Sequence, residues 1–122
     1  SAHKPTQSFI TACSDETTAL TTGIKSYWRT PYAFTISAVS ASVTTAPTGA
    51  NITVDILQGG VSILTTNITV DATEKTSETA AIPPVILTSA LTDDSEISIN
   101  LTTIGSTIAG TGLKVTIIGN ET

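Results

Sequence analysis

From Asn51 to Ile56 the chain sets polar and apolar residues in turn, as Asn-Ile-Thr-Val-Asp-Ile, before Leu57 and Gln58. Successive side chains of an extended chain point to opposite faces. Ile52, Val54 and Ile56 therefore share an inward face, with Thr53 and Asp55 outward. Gly59-Gly60 comes next. A two-residue hairpin loop needs positive φ at both central positions, and glycine adopts it without steric cost. The strand is thus predicted to turn back at once into a second one that starts at Val61 and includes Ile63 and Leu64.

Period-two patterning recurs along the chain. In Ile24–Arg29, Ile24, Ser26 and Trp28 share one face, and Lys25, Tyr27 and Arg29 the other. From Phe34 to Val43 a longer strand points Phe34, Ile36 and Ala38 one way and Val39, Ala41 and Val43 the other. Both faces would then be apolar or small, as under a covering layer or at a subunit contact. Asn67–Asp71 buries Ile68 and Val70, Glu96–Leu101 alternates, and Leu113–Ile118 forms the last strand. Pro31, Thr45–Gly49 and Thr92–Ser95 read as bends or turns. Ile82-Pro83-Pro84-Val85 lacks two ladder donors, so it is an edge or a loop packed against a neighbour. Cys13–Leu20 is a helical turn or a short strand, and Gly105–Gly112 a connection. No segment keeps a helical period over three turns, and no tandem repeat is present. Composition agrees: Thr is the commonest residue, followed by Ile and Ser, and β-branched side chains favour pleated sheet over helix. The expected fold is all-β, one antiparallel β-sandwich or barrel of seven or eight strands over residues 13–122. Residues 1–12 form an extended N-terminal arm, either a floppy terminus or a docking arm that buries Phe9 and Ile10.

Length and charge narrow the function. The 122 residues suit one domain, and the net charge is −5. No basic stripe exists to neutralise phosphates, so neither nucleic acid nor an anionic membrane surface is an expected partner. No apolar run reaches the length of a spanning helix. The first residues, Ser1-Ala2-His3-Lys4-Pro5, lack the apolar stretch of a signal peptide, and the chain is expected to be nearly complete. The lone Cys13 forms no internal disulfide, and a buried, unreactive thiol is its default state. The lone histidine, His3, lies in the arm and reads as solvated rather than catalytic. Asp93, Asp94 and Glu96 gather at one turn, where turn-capping outweighs a weak Ca²⁺ site or paired-carboxylate catalysis. One Cys and one His exclude a zinc site, and Gly105–Gly112 has no phosphate-loop ending. Asn51, Asn67, Asn100 and Asn120 each open an Asn-x-Thr triplet, read first as polar–apolar–polar alternation and second as glycosylation. No enzyme chemistry, metal or cofactor is expected. What remains is surface. Tyr27, Trp28, Arg29 and Tyr32 hold much of the aromatic content, either as core and subunit contacts or as an external ligand site. With Phe9 and Ile10 they are the expected partner-contact residues.

Several segments occur in a telling order: Arg29-Thr-Pro-Tyr-Ala-Phe-Thr-Ile36, Val43-Thr-Thr-Ala-Pro-Thr-Gly49, Val54-Asp-Ile56 with its Gly hairpin, Ser62-Ile-Leu64, Ile68-Thr-Val-Asp71 and Gly110-Thr-Gly-Leu-Lys-Val115. Over roughly residues 15–119 this resembles a small β-sandwich domain of virion proteins from tailed bacteriophages. The resemblance implies a virus-particle component, a homotrimer with a jelly-roll-like sandwich; the expected location is the outer surface of the virion. It supplies no catalytic or ligand residues. It leads to a glycine in the turn after Asp71, where this chain carries Thr73. The expected function is capsid decoration: a cement protein that binds the major capsid protein and clamps neighbouring capsomers. The alternatives are a receptor-binding tail-fibre or spike tip that meets a host-cell receptor, and a secreted carbohydrate-binding module.

Overall fold

The computed structural model describes residues 6–122. They are nearly all β, in antiparallel sheets, with no α-helix. Eleven strands lie among the described residues: β1 Thr6–Ala12, β2 Gly23–Arg29, β3 Phe34–Ser42, β4 Ile52–Gln58, β5 Val61–Ser62, β6 Leu64–Thr66, β7 Ile68–Val70, β8 Val85–Ile86, β9 Ala90–Leu91, β10 Glu96–Thr103 and β11 Lys114–Glu121. Six are seven residues or longer; the other five are fragments of two or three. One 3-10 turn spans Ser77–Thr79.

The first sheet has the order β1-β11-β3-β9. The second runs β2-β10-β4, and the far edge of β4 carries β5 and β7 on different stretches. A small third sheet pairs β6 with β8. Inward residues of the two large sheets meet in one core. Phe34, Ile36, Val39, Ala41, Val115 and Ile117 come from the first sheet, and Ile52, Val54, Ile56, Ile97, Ile99 and Leu101 from the second. Burial of these side chains, at ~1.5–3 kcal/mol for each one larger than alanine, is the main force holding the sheets together. One side is closed by β6, β7 and the 3-10 turn. There the Ala41 N–H donates to Ser77 Oγ at 2.9 Å, and the Val43 N–H to the Lys75 carbonyl at 2.9 Å. On the opposite side β1 and β2, each an edge strand of its own sheet, touch through the Phe9 and Trp28 rings, 5.1 Å apart. The sheets thus curl into a half-barrel in which β1 and β2 meet through side chains rather than ladder hydrogen bonds.

Several local expectations hold. Gly59 and Gly60 have φ of 59° and 84°, and Gln58 faces Val61 across them, so β4 and β5 form the tight hairpin. Pro31 lies between β2 and β3. The Pro83-Pro84 pair leads into β8, a short strand paired only with β6.

Four readings change. First, β3 does not present two apolar faces. Its pairing with β11 jumps from Ala38↔Ile118 to Ile36↔Gly119, leaving Ser37 unpaired in a bulge. One extra residue inverts the alternation. Phe34 and Ile36 before the bulge and Val39, Ala41 and Val43 after it therefore all face the core, and Thr35, Ser37, Ala38, Ser40 and Ser42 face out. Gly119 permits the bulge: a Cβ there would collide with the Thr35 carbonyl oxygen and lie 2.9 Å from Ile36 Cα. Second, β10 pairs with Ser26 through Ile99 and with Ile24 through Asn100, so Lys25 is a bulge residue. Ile24 leaves the Ser26–Trp28 face and joins Tyr27 and Arg29 outside. Third, Cys13–Leu20 is neither helix nor strand. The Asp15 carboxylate accepts the Thr17 and Thr18 N–H groups at 3.1 and 2.7 Å and folds the segment into bends. Fourth, from Thr6 onward the expected arm is β1, zipped to β11 in an unbroken register from Thr6↔Asn120 to Ala12↔Lys114. Alternation explains this, because Phe9 buries against the core while its neighbours stay outside.

The turn after β7 accounts for the missing glycine. The Glu74 N–H donates to the Asp71 carbonyl at 3.0 Å, which makes Thr73 the third residue of a β-turn, and its φ is 71°. A positive φ at that position is the mark of a type II turn, where glycine is favoured. Thr73 keeps the turn that the glycine would make, at the steric cost of a β-branched residue in the left-handed region.

Candidate functional site

The six expected contact residues divide between inside and outside. Phe9, Trp28 and Tyr32 are half-buried and pack against the core. Phe9 sits 4.8 Å from the Phe34 ring and 6.3 Å from Tyr32, centroid to centroid. The Tyr32 hydroxyl donates to Gln7 Oε1, which ties β1 to the loop between β2 and β3. These three residues form an aromatic seam where β1 meets β2 and the loop after it. The indole N–H of Trp28 is buried with no acceptor among the described residues.

Ile10, Tyr27 and Arg29 face solvent, with Ile10 68% and Tyr27 65% exposed. They lie on different outer faces, Ile10 on the first sheet and Tyr27 and Arg29 on the second. Tyr27 stands beside Ser98 and, beyond it, Leu57; Ile24 stands beside Asn100 and Asp55. Arg29 is engaged locally. Its Nη1 donates to the Asp94 carbonyl at 2.9 Å, and its Nε lies 3.8 Å from the Asp94 carboxylate. Between exposed partners such a pair contributes little. The aspartate turn itself is held by buried Thr30, whose hydroxyl donates to the Thr92 carbonyl at 2.6 Å and accepts the Ser95 N–H at 2.9 Å.

Sequence reasoning missed the outer face of the first sheet. It is made of Thr6, Ser8, Ile10 and Ala12 from β1, Lys114, Thr116, Ile118 and Asn120 from β11, and Thr35, Ser37, Ala38, Ser40 and Ser42 from β3. Its one charge is Lys114, at a corner and paired with Glu16. In a molecule of net charge −5, the only carboxylates at this face are at its margins, Glu16 at the Lys114 corner and Glu78 beside Ser37 and Ala38. The Ser and Thr spacing in β3 carried the signal, but the bulge hid which residues share that face. Beside it, an open groove of about 480 Å³ runs between Ser37–Val39 and Pro83–Ile86, with Glu78 at its rim. Val61, Ile82, Val85 and Leu87 are further exposed apolar residues on the side carrying β5 and β8.

Titratable groups gather near one smaller cavity of about 220 Å³, lined by residues that include Cys13, Asp15, Leu20 and Lys25. Burial pushes the Cys13 thiol up from 9.0 to about 11. The Thr18 N–H, then the Thr18 hydroxyl and the Thr17 N–H, hold the Asp15 carboxyl below its ordinary value. Lys114 and then Thr44 do the same for Glu16 by hydrogen bonding. A thiol kept protonated is a poor nucleophile and a poor metal ligand. Among the described residues no group of three or more His, Cys, Asp or Glu could hold a metal ion. No helix of the described residues is long and apolar enough to cross a membrane. His3 lies outside the described residues. Asn51 has a local role, its Oδ1 accepting the Ala72 N–H at 2.8 Å.

No family model, no curated protein and no solved structure matches this chain.

Proposed function

We propose that this chain is a structural protein on the outer surface of a bacteriophage virion. It decorates the head, binds the major capsid protein and cements neighbouring capsomers. The two curled sheets are then a jelly-roll-like sandwich whose outer surfaces serve as contacts. The observation that carries this reading is the outer face of the first sheet. Apart from Lys114, which Glu16 pairs at one corner, this face of Ser, Thr, Asn, Ala and Ile side chains can be desolvated against another protein without stranding a charge. Interface centres are depleted of charged residues for this reason. The sequence resemblance supplies the kind of particle, and the face supplies the means of attachment. Tyr27 is the one strongly exposed aromatic among the described residues, too little stacking surface to favour a sugar site.

Particles depleted of the chain test this. Loss of a cement should lower the temperature at which heads release their genome, and adding the purified chain back should restore it. Depleted particles with unchanged heat resistance would overturn the reading.

A further inference from the structure

The free edge of β1 differs from every other sheet edge among the described residues. Strands β5 to β9 are two or three residues long, too short to template a partner, and the stretch of the β3 edge beyond β9 is taken up by Ser89, Ser77 and Lys75, which accept the Ile36, Ala41 and Val43 N–H groups. The β2 edge is guarded by the bulge at Lys25 and by the Lys25 and Arg29 charges, the usual devices against edge pairing. Strand β1 reads Thr-Gln-Ser-Phe-Ile-Thr-Ala, seven residues with no charge, no proline and no bulge. The Cys13 N–H donates to the Leu113 carbonyl at 2.8 Å. Hydrogen bonding alternates along an antiparallel strand. Gln7, Phe9, Thr11 and Cys13 therefore bond towards β11, while Thr6, Ser8, Ile10 and Ala12 point their N–H and C=O groups away from it. No described strand pairs on that side.

We propose that a second copy of this chain occupies that edge, β1 against β1, antiparallel about a two-fold axis at Phe9. The sequence fits this register. Thr6 meets the partner's Ala12 and Ser8 meets the partner's Ile10, so every outward-pointing residue faces another of its kind. The four pairs supply about eight N–H···O bonds, the full complement of the edge. Two four-stranded sheets become one of eight strands. Ile10, 68% exposed in the single chain, gains cover on the joined outer face. Copies with a net charge of −5 repel each other, but this edge brings no carboxylate to the contact. The pairing is independent of the virion reading, and its two-fold axis differs from the threefold assembly that the resemblance implies.

Sedimentation of the purified chain tests the proposal. The expected species at tens of micromolar has twice the chain mass. Ser8→Pro removes an outward N–H without touching the β11 ladder and should yield a monomer with an unchanged circular dichroism spectrum. If Ser8→Pro fails to fold, Ile10→Lys, which places like charges at the contact, decides by the same measurement. A monomeric wild type, or a dimer or trimer that survives in the folded variants, overturns the proposal.

Discussion

Replacing Thr73 with glycine should stabilise the protein. Thr73 is exposed, with φ at 71°, and its N–H donates to the Pro47 carbonyl at 2.7 Å. An L-residue in the left-handed region costs about 1–2 kcal/mol. Glycine removes that cost and keeps the backbone bond, but it loses about 0.5–1 kcal/mol more chain entropy on folding. The difference is a net gain of about 0.5–1 kcal/mol. For a domain of this size that raises Tm by about 2–5 °C. Thr73→Ala is the control, since it keeps a Cβ and with it most of the strain; its Tm should move by less than half as much. Thermal and urea unfolding of the three proteins, followed by circular dichroism, read the effect. A Thr73→Gly variant less stable than the parent would refute the strained type II turn and the physics assigned to it.

Three other perturbations probe separate parts of the fold. Gly119→Ala drives a Cβ into the Thr35 carbonyl and should cost about 1–3 kcal/mol in urea unfolding; an unchanged midpoint would count against the β3 bulge. Phe9→Ala empties the centre of the aromatic seam and should cost about 2–3 kcal/mol, with red-shifted emission from Trp28, the single tryptophan. An unshifted emission band would mean that Phe9 does not cover the indole. Cys13 should resist alkylation at pH 8 in the native protein and react at once in urea. Its folded pKa is raised, so its contribution to stability is complete below the ordinary thiol value of 9.0 and falls away as pH climbs to about 11. Rapid native labelling at pH 8 would contradict that burial.

Local features were legible in the residues, and features set by partners across the sheet were not. The Gly59-Gly60 hairpin needs only backbone freedom within two residues, so sequence alone places it. The alternation in β4 and β10 survives folding because their inward residues are unbroken in spacing. In β3 the apolar spacing shifts between Ile36 and Val39, which reads as two apolar faces until Ser37 is seen to be skipped by β11. The glycine that allows this, Gly119, lies 82 positions from Ser37, beyond any local pattern. Lys25 plays the same part in β2 and moves Ile24 outside. The contact residues divided for a related reason. Phe9, Trp28 and Tyr32 attract attention as aromatics, yet the core claims them. The outer face of the first sheet, charged only at its Lys114 corner, consists mostly of small polar residues that no motif singles out. It becomes visible only when three strands distant in sequence are laid side by side.

The copy number of this chain in purified virions, measured against the major capsid protein, decides whether it decorates the head. A head decoration protein should be present in near-stoichiometric amounts. A few copies per particle would move the chain to a tail fibre or spike, and its complete absence would contradict the virion assignment altogether.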